Sequence, residues 1–123
     1  MTHGKWGSTV SHKHLKDCII ICYGNLEQWG KVIEYLEKGL EFIKNNDEKL
    51  IQYYFNLIHL YNHINDQNKK KKYVPLLAEK IRPIFNSTPS KTIKLTCFTP
   101  DKFNIDLEWS IKELNDHLEF LFW

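Results

Sequence analysis

The chain has 123 residues, a length that fits one compact domain and excludes the two-lobed architecture of most cofactor-dependent enzymes. Hydrophobic residues make up 42% of it and charged residues 26%, a composition typical of a folded rather than a disordered chain. The formal net charge of +2 is too small for the basic surface on which binding to nucleic acids depends. We therefore expect a single domain over residues 1–123, and the net charge gives no reason to expect a nucleic-acid ligand.

The cysteines and the apolar runs bear on the compartment. Cys18, Cys22 and Cys97 are an odd number without the spacing of a disulfide framework, which favours a reducing compartment. The longest apolar run, Cys18 to Tyr23, has six residues, far fewer than the roughly 20 that cross a bilayer. The N-terminus lacks the apolar region of a signal peptide. The sequence thus predicts a cytoplasmic protein without a membrane partner.

The first elements are a loose N-terminal arm over residues 1–10 and a short helix that starts at Ser11 and stops at Gly24-Asn25. The three consecutive isoleucines make a buried strand over Ile19–Tyr23 the alternative. The next helix is indicated by large apolar residues at spacings of three and four: Leu26, Trp29, Ile33, Leu36, Leu40 and Ile43.

A third helix follows Asn45-Asn46, with Asp47 and Glu48 in its first turn, where the helix dipole favours negative charge. Its apolar stripe consists of Leu50, Tyr54, Leu57, Tyr61 and Ile64, widened by Phe55 and Ile58. Two amphipathic helices joined by so short a turn must pack on each other, because neither can bury its stripe alone. The segment 26–64 is therefore predicted to be an antiparallel helical hairpin.

The C-terminal part is less regular. A polar loop containing Lys69–Lys72 is expected to precede a fourth helix, with Pro75 in its first turn and with Pro83 limiting or kinking it. Residues 86–103 are predicted to be irregular or to include a short strand over 92–98, with Ile19–Tyr23 as its one possible partner. The last helix is expected after residues 99–101, with an apolar stripe of Leu107, Ile111, Leu114, Leu118 and Leu121.

A weak internal similarity links residues 22–26 to residues 60–66, at an offset of about 38 to 40 residues. The segment from Gly24-Asn25-Leu26-Glu27 through Val32–Leu40 to Asn46–Leu50 resembles a tetratricopeptide-type helix pair, with Gly39 at the small-residue position. The resemblance covers about residues 15–81. It implies a non-catalytic surface that binds another protein. The predicted fold class is thus mostly helical: antiparallel hairpins, tetratricopeptide-like or an irregular bundle, with a short extended segment before a C-terminal helix.

Candidate chemical groups are few. His59 and His63 have the i,i+4 spacing of a metal-binding pair, but no third ligand accompanies them and a half-buried or surface pair is expected. Cys18 and Cys22 are expected in the core, where free cysteine behaves as a small hydrophobe. No phosphate-binding loop or nucleophile motif occurs, so we predict no catalytic residue, no metal and no cofactor.

The remaining sequence features favour binding to another protein. Lys69, Lys70, Lys71 and Lys72 can steer an acidic partner, and the C-terminal Phe120, Phe122 and Trp123 need burial in the fold or in a partner. The function predicted is a small adaptor or a stoichiometric inhibitor, such as an immunity protein that neutralises a toxin, and not a small-molecule binder. The alternative is a nucleic-acid-associated protein or a small nuclease that uses His12, His14 and Lys69–Lys72.

Overall fold

The computed structural model describes residues 12–121, which form five helices and one two-stranded sheet. In chain order these are α1 (His12–Asn25), α2 (Trp29–Ile43), α3 (Asp47–His63), α4 (Gln67–Ser87), β1 (Thr92–Thr99), β2 (Lys102–Ser110) and α5 (Ile111–Leu121). The prediction of a mostly helical chain with an extended segment before the C-terminal helix is therefore confirmed. The predicted arm over residues 1–10 lies outside the described residues.

Helix α3 is the centre of the fold and contacts α2, α4 and β1. Asn46 starts it, because its side-chain Oδ1 accepts a hydrogen bond from the Lys49 N–H at 3.1 Å. The predicted stripe is buried at Leu50, Leu57 and Tyr61, but the rest of the helix circumference is buried too because it has neighbours on several sides. At Gly39 of α2 the two helices approach so closely that a Cβ atom would lie 2.7 Å from the Tyr53 ring.

Of the three connections between α1, α2, α3 and α4, the first and the third have the same geometry. Each has three residues, and the middle one, Glu27 or Asn65, adopts a left-handed backbone with φ of 55° or 63°. The next residue in each donates its N–H five residues back at 2.9 Å: Gln28 to the Tyr23 carbonyl and Asp66 to the Tyr61 carbonyl. The internal similarity in the sequence thus extends to the backbone of both turns.

Strands β1 and β2 pair antiparallel around the turn at Pro100-Asp101. Ile93, Leu95 and Cys97 of β1 are buried, and their partners Trp109, Leu107 and Ile105 on β2 lie on the same face of the hairpin. The register shifts by one residue between Cys97 and Phe98, where Asn104 on the opposite strand has a left-handed φ of 58°. The β2 edge has no strand partner within residues 12–121.

The other edge of β1 is paired with side chains of α3. Asn56 Nδ2 donates to the Thr96 carbonyl at 2.9 Å, and Asn56 Oδ1 accepts the Phe98 N–H at 2.8 Å. Gln52 Oε1 accepts the Thr96 N–H at 3.1 Å. Two amides on a helix therefore satisfy backbone groups that a third strand would otherwise pair with.

Helix α4 begins at Gln67, so the prediction of a polar loop over Lys69–Lys72 is wrong. The helix starts there because Asp66 Oδ1 accepts the Lys69 N–H at 3.1 Å and because lysine has a high helix propensity. Pro75 and Pro83 both lie within this helix, although Pro75 was expected in its first turn.

Residues 102–110 form a strand, so the prediction that the last helix includes Leu107 is wrong. Helix α5 starts at Ile111 because Ser110 and Glu113 cap it reciprocally: the Glu113 N–H donates to Ser110 Oγ at 3.0 Å and the Ser110 N–H donates to Glu113 Oε1 at 3.1 Å. The alternative of a strand over Ile19–Tyr23 is also wrong, since these residues lie in α1 and β1 pairs with β2.

The two cysteines of α1 lie at the surface. Cys18 and Cys22 are exposed, so their predicted burial in the core is wrong. On the apolar side of α1, Ile20 is fully buried.

No helix within residues 12–121 combines the length and the apolar character that crossing a membrane requires.

Candidate functional site

A cavity of about 110 Å³ lies where α3, the β-hairpin and α5 meet. We call it the histidine pocket, because His59 of α3 and His117 of α5 both line it. Its apolar lining consists of Phe55, Cys97, Leu107 and Trp109, and its other polar lining of Thr99, Asp101 and Lys102. The volume has room for a few water molecules or for one small chemical group.

Three elements bring these residues together. Helix α3 places Phe55 and His59 one turn apart, and their rings lie 4.6 Å apart. The apolar face of the hairpin extends beyond the core and contributes Leu107 and Trp109, both only partly buried. Helix α5 buries Leu114 and Leu118, which directs the intervening His117 towards the same side.

The two histidines are in direct contact. His59 Nε2 and His117 Nε2 are 3.2 Å apart, and the two rings lie at an angle of 24° to each other. At this distance one ring donates its Nε2 proton and the other accepts it, so the two imidazoles are in different tautomers. Aromatic rings of Phe55 and Trp109 lie 5.8 and 5.5 Å from the His117 ring and enclose the pair.

Burial keeps the pair neutral. It lowers the pKa of His59 from 6.5 to about 4, with the charge of His117 as the second cause, while Asp101 acts in the opposite direction. Lys70 and Lys102 also lower the His59 pKa. Burial lowers the pKa of His117 as well. At neutral pH the pocket therefore holds two uncharged imidazoles.

Trp109 and Cys97 complete the interior. The indole Nε1 of Trp109 is a buried donor that has no hydrogen-bond partner among residues 12–121. Cys97 is buried, and burial raises the pKa of its thiol, so its sulfur is not an activated nucleophile. The pocket thus offers two neutral imidazoles, which suits recognition of a polar atom within an apolar enclosure.

The outside of the pocket is apolar on one side and polar on the other. Phe120 follows His117 by one turn, its ring lies 6.3 Å from that imidazole, and its side chain is 77% exposed. Ile105, two residues from Leu107 on the same strand, is 46% exposed. At the hairpin turn Thr99 Oγ1 donates to Asp101 Oδ1 at 3.0 Å, and a shallow depression lined by Asn62 and His63 adjoins it.

The predicted binding residues are only partly brought together. Lys69–Lys72 occupy the first two turns of α4, and Lys70 Nζ donates to Asn62 Oδ1 at 3.3 Å, beside the shallow depression. Phe120 lies next to the pocket. Phe122, Trp123 and the side chains of His12 and His14 fall outside what the structure describes.

Sequence analysis missed the partner of His59. It considered His63, four residues away, whereas the contact is with His117, which lies 58 residues along the chain. The local signal was weak, since His117 lies beside the apolar stripe of α5, three residues after Leu114 and one before Leu118. Nothing in a single sequence links two such positions, because the hairpin between them sets their distance.

Comparisons with protein-family models, with curated proteins and with solved structures gave no match. In the part of the chain that the structure describes, no group of three or more His, Cys, Asp or Glu side chains is arranged to hold a metal ion. The site must therefore be interpreted from its own geometry.

Proposed function

We propose that this protein is a non-catalytic binding module that captures another protein through the histidine pocket and the apolar side chains beside it. The observation that carries the proposal is the position of Phe120, a large aromatic side chain that is 77% exposed and whose ring lies 6.3 Å from that of His117 in the pocket. Exposed aromatic residues next to a concave apolar site are the usual anchors of protein interfaces. A partner would cover Phe120 and Ile105 and insert one polar group towards the two imidazoles.

The charges around the pocket favour an acidic partner. Lys70 and Lys102 both act electrostatically on His59. Lys69, Lys71 and Lys72 are exposed along the same end of α4, where no acidic residue occupies the first turn. Four consecutive lysines on a helix surface raise the association rate with a negatively charged protein more than they raise its affinity.

The helical hairpins support the same class of function. The shared geometry of the turns at Glu27 and Asn65 supports the proposal that α1–α4 are two units of a tetratricopeptide-like repeat. Repeats of helix pairs commonly serve as surfaces for protein binding, as the resemblance in the sequence implies. An adaptor or a stoichiometric inhibitor, including one that neutralises a toxin, fits this size. The free thiols at Cys18 and Cys22 suit the cytoplasm.

Affinity capture with matched variants tests the proposal. The wild-type chain, Phe120→Ser and Leu26→Ser are each immobilised and exposed to a lysate of the cells that encode the protein. Leu26 is the control, because it is 65% exposed but lies in the α1–α2 connection, outside the elements that line the pocket. We expect one protein to bind wild type and Leu26→Ser in a 1:1 complex on size-exclusion chromatography, and to bind Phe120→Ser at least about tenfold more weakly.

Two outcomes would contradict this proposal. Equal capture of every bound protein by Phe120→Ser and wild type would show that the pocket side of α5 is not the interface. Selective loss with Leu26→Ser would place the interface at the helix–helix connections instead.

A further inference from the structure

We propose that His59 and His117 form a two-histidine site for a divalent transition-metal ion of the Zn²⁺ or Cu²⁺ class. The two Nε2 atoms would be the protein's ligands, and the other coordination positions would face the histidine pocket. This inference concerns a ligand of the chain itself and does not depend on the proposed protein partner.

The geometry of the pair carries the inference. Two nitrogens at 2.0–2.1 Å from a tetrahedral zinc ion are about 3.3–3.4 Å apart. The Nε2 atoms of His59 and His117 are 3.2 Å apart, so an ion fits beside the line that joins them when this distance opens by about 0.2 Å and each ring turns to direct its Nε2 lone pair at the ion. The two rings come from α3 and α5, both of which are anchored in the core, so neither element needs to move to create the site.

The protonation of the pair also suits a metal. Metal ions bind neutral imidazole, and burial lowers the pKa of both rings, so both are neutral at pH 7. When the ion binds, the proton that one Nε2 donates to the other moves to Nδ1 of its own ring. Both imidazoles then remain neutral, and both Nε2 lone pairs point at the ion. No net proton is released from the pair.

The charges around the pair act on a cation in opposite directions. Asp101 contributes a favourable negative charge near His59, whereas Lys70 and Lys102 oppose a cation. Residues 12–121 offer no third ligating side chain, so the remaining ligands come from solvent or from a bound molecule.

Isothermal titration of the full chain with ZnCl₂ and with CuCl₂ tests the site, using wild type, His117→Ala, His59→Ala and His63→Ala. His63 is the matched control, because it lies on α3 one turn beyond His59 and completes the i,i+4 pair visible in the sequence. We expect one site in wild type and in His63→Ala that binds Cu²⁺ more tightly than Zn²⁺. In His59→Ala and His117→Ala this site should weaken at least about tenfold. Binding by His3, His12 or His14, or by the exposed thiols of Cys18 and Cys22, is common to all four chains.

A second measurement uses wild type alone and removes the dependence on whether the variants fold. Imidazole ¹⁵N spectra are recorded with increasing ZnCl₂, and Nε2 of His59 and of His117 are expected to shift together. Equal binding by His117→Ala and wild type would overturn the proposal. So would a loss in His63→Ala as large as that in His117→Ala, or zinc-induced shifts confined to other histidines. Capture of the partner protein is measured separately, in the presence of a chelator and of added zinc, so failure of one proposal is distinguishable from failure of the other.

Discussion

Helix α3 contacts its helical neighbour α4 and its strand neighbour β1 in two different ways. Towards α4 the contact is made by rings and aliphatic groups: Tyr54 and Tyr61 lie 5.9 and 6.0 Å from the ring of Tyr73. Towards β1 the contact depends on the amides of Gln52 and Asn56, which pair with the strand backbone. The contact with α4 requires apolar side chains of a suitable volume. The contact with β1 requires hydrogen-bonding atoms at particular positions.

The difference explains where the candidate site lies. Packed helices fill the space between them with side chains, whereas β1 is held close to α3 at Asn56 and the hairpin then extends past it. Phe55 and His59, next along that side of α3, therefore line a cavity rather than a filled core. The side of α3 that faces β1, its strand side, thus contains the hydrogen-bonding and titratable groups of the candidate site. The side that faces α4, its helix side, contributes most of the apolar burial. The following variants test this division.

Leu57→Ala should have the largest effect. Leu57 is fully buried on the stripe shared with Tyr54 and Tyr61, and the substitution removes apolar contacts and leaves a cavity. We expect the free energy of unfolding to fall by about 2–5 kcal/mol, as measured by urea denaturation with circular dichroism. A fall below about 0.5 kcal/mol, the range of ordinary surface substitutions, would show that this side of α3 is not the main core.

The second prediction concerns pH. Since the pKa of His59 is about 4 in the folded chain and near 6.5 in the unfolded chain, the unfolded chain binds a proton between these values that the folded chain does not. The contribution of His59 to stability is therefore complete above pH 6.5 and is lost as the pH falls towards 4, by up to about 3 kcal/mol. His117 acts in the same direction.

The measurement is urea unfolding at pH 7 and at pH 4.5, with a chelator present, for wild type, His59→Gln and His63→Gln. Carboxylates also titrate in this range, but they do so in all three chains. We expect His59→Gln to lose less stability on acidification than the other two. Identical losses in wild type and His59→Gln would contradict the buried, neutral state of this imidazole.

Asn56→Ala tests the strand side directly. It removes the acceptor of the buried Phe98 N–H and the donor to the Thr96 carbonyl, so we expect a loss of about 1–3 kcal/mol. The effect should be local. Hydrogen exchange of the Phe98 amide should accelerate in the variant more than exchange of amides in α2 and α4. Uniform acceleration across the chain would show that the two contacts of α3 are not separable.

The smallest effect is expected at a polar contact on the helix side. Tyr61 and Tyr73 both donate to Glu37 Oε2 at 2.7 Å, linking α2, α3 and α4. Glu37→Gln replaces two bonds to a carboxylate by bonds to a neutral amide, which should cost about 1 kcal/mol in urea unfolding. Glu34→Gln is the control, since Glu34 pairs only with exposed lysines of its own helix and should cost less than about 0.5 kcal/mol. Equal costs would show that the carboxylate at Glu37 does not link the helices.

The helix side of α3 could be predicted from the sequence, and the strand side could not. The spacing of Leu50, Tyr54, Leu57 and Tyr61 is local, so the periodicity alone indicated both the helix and its buried stripe. The roles of Gln52 and Asn56 depend on a strand 40 residues away, and polar residues inside an apolar helix have no periodic signature of their own.

The region from Lys102 to Ser110 was ambiguous in the sequence. Phe103, Ile105, Leu107 and Trp109 alternate as in a strand, but Leu107 also continues the spacing of the apolar residues in α5. Pairing with β1 makes this region a strand and not a part of the helix. The same pairing also places Trp109 beside His59 and His117. The candidate site could not be predicted because it forms only when α3, the hairpin and α5 are assembled.

The edge of β2 that has no strand partner among residues 12–121 has a consequence for the behaviour of the protein at high concentration. Lys102, Asp106 and Glu108 place charges of both signs along this strand, and the bulge at Asn104 bends its backbone. A second molecule that tried to extend the sheet would have to bury these charges and match an irregular ladder of amides. We therefore expect concentrated solutions to resist conversion into fibrils, even though the hairpin consists of only two strands.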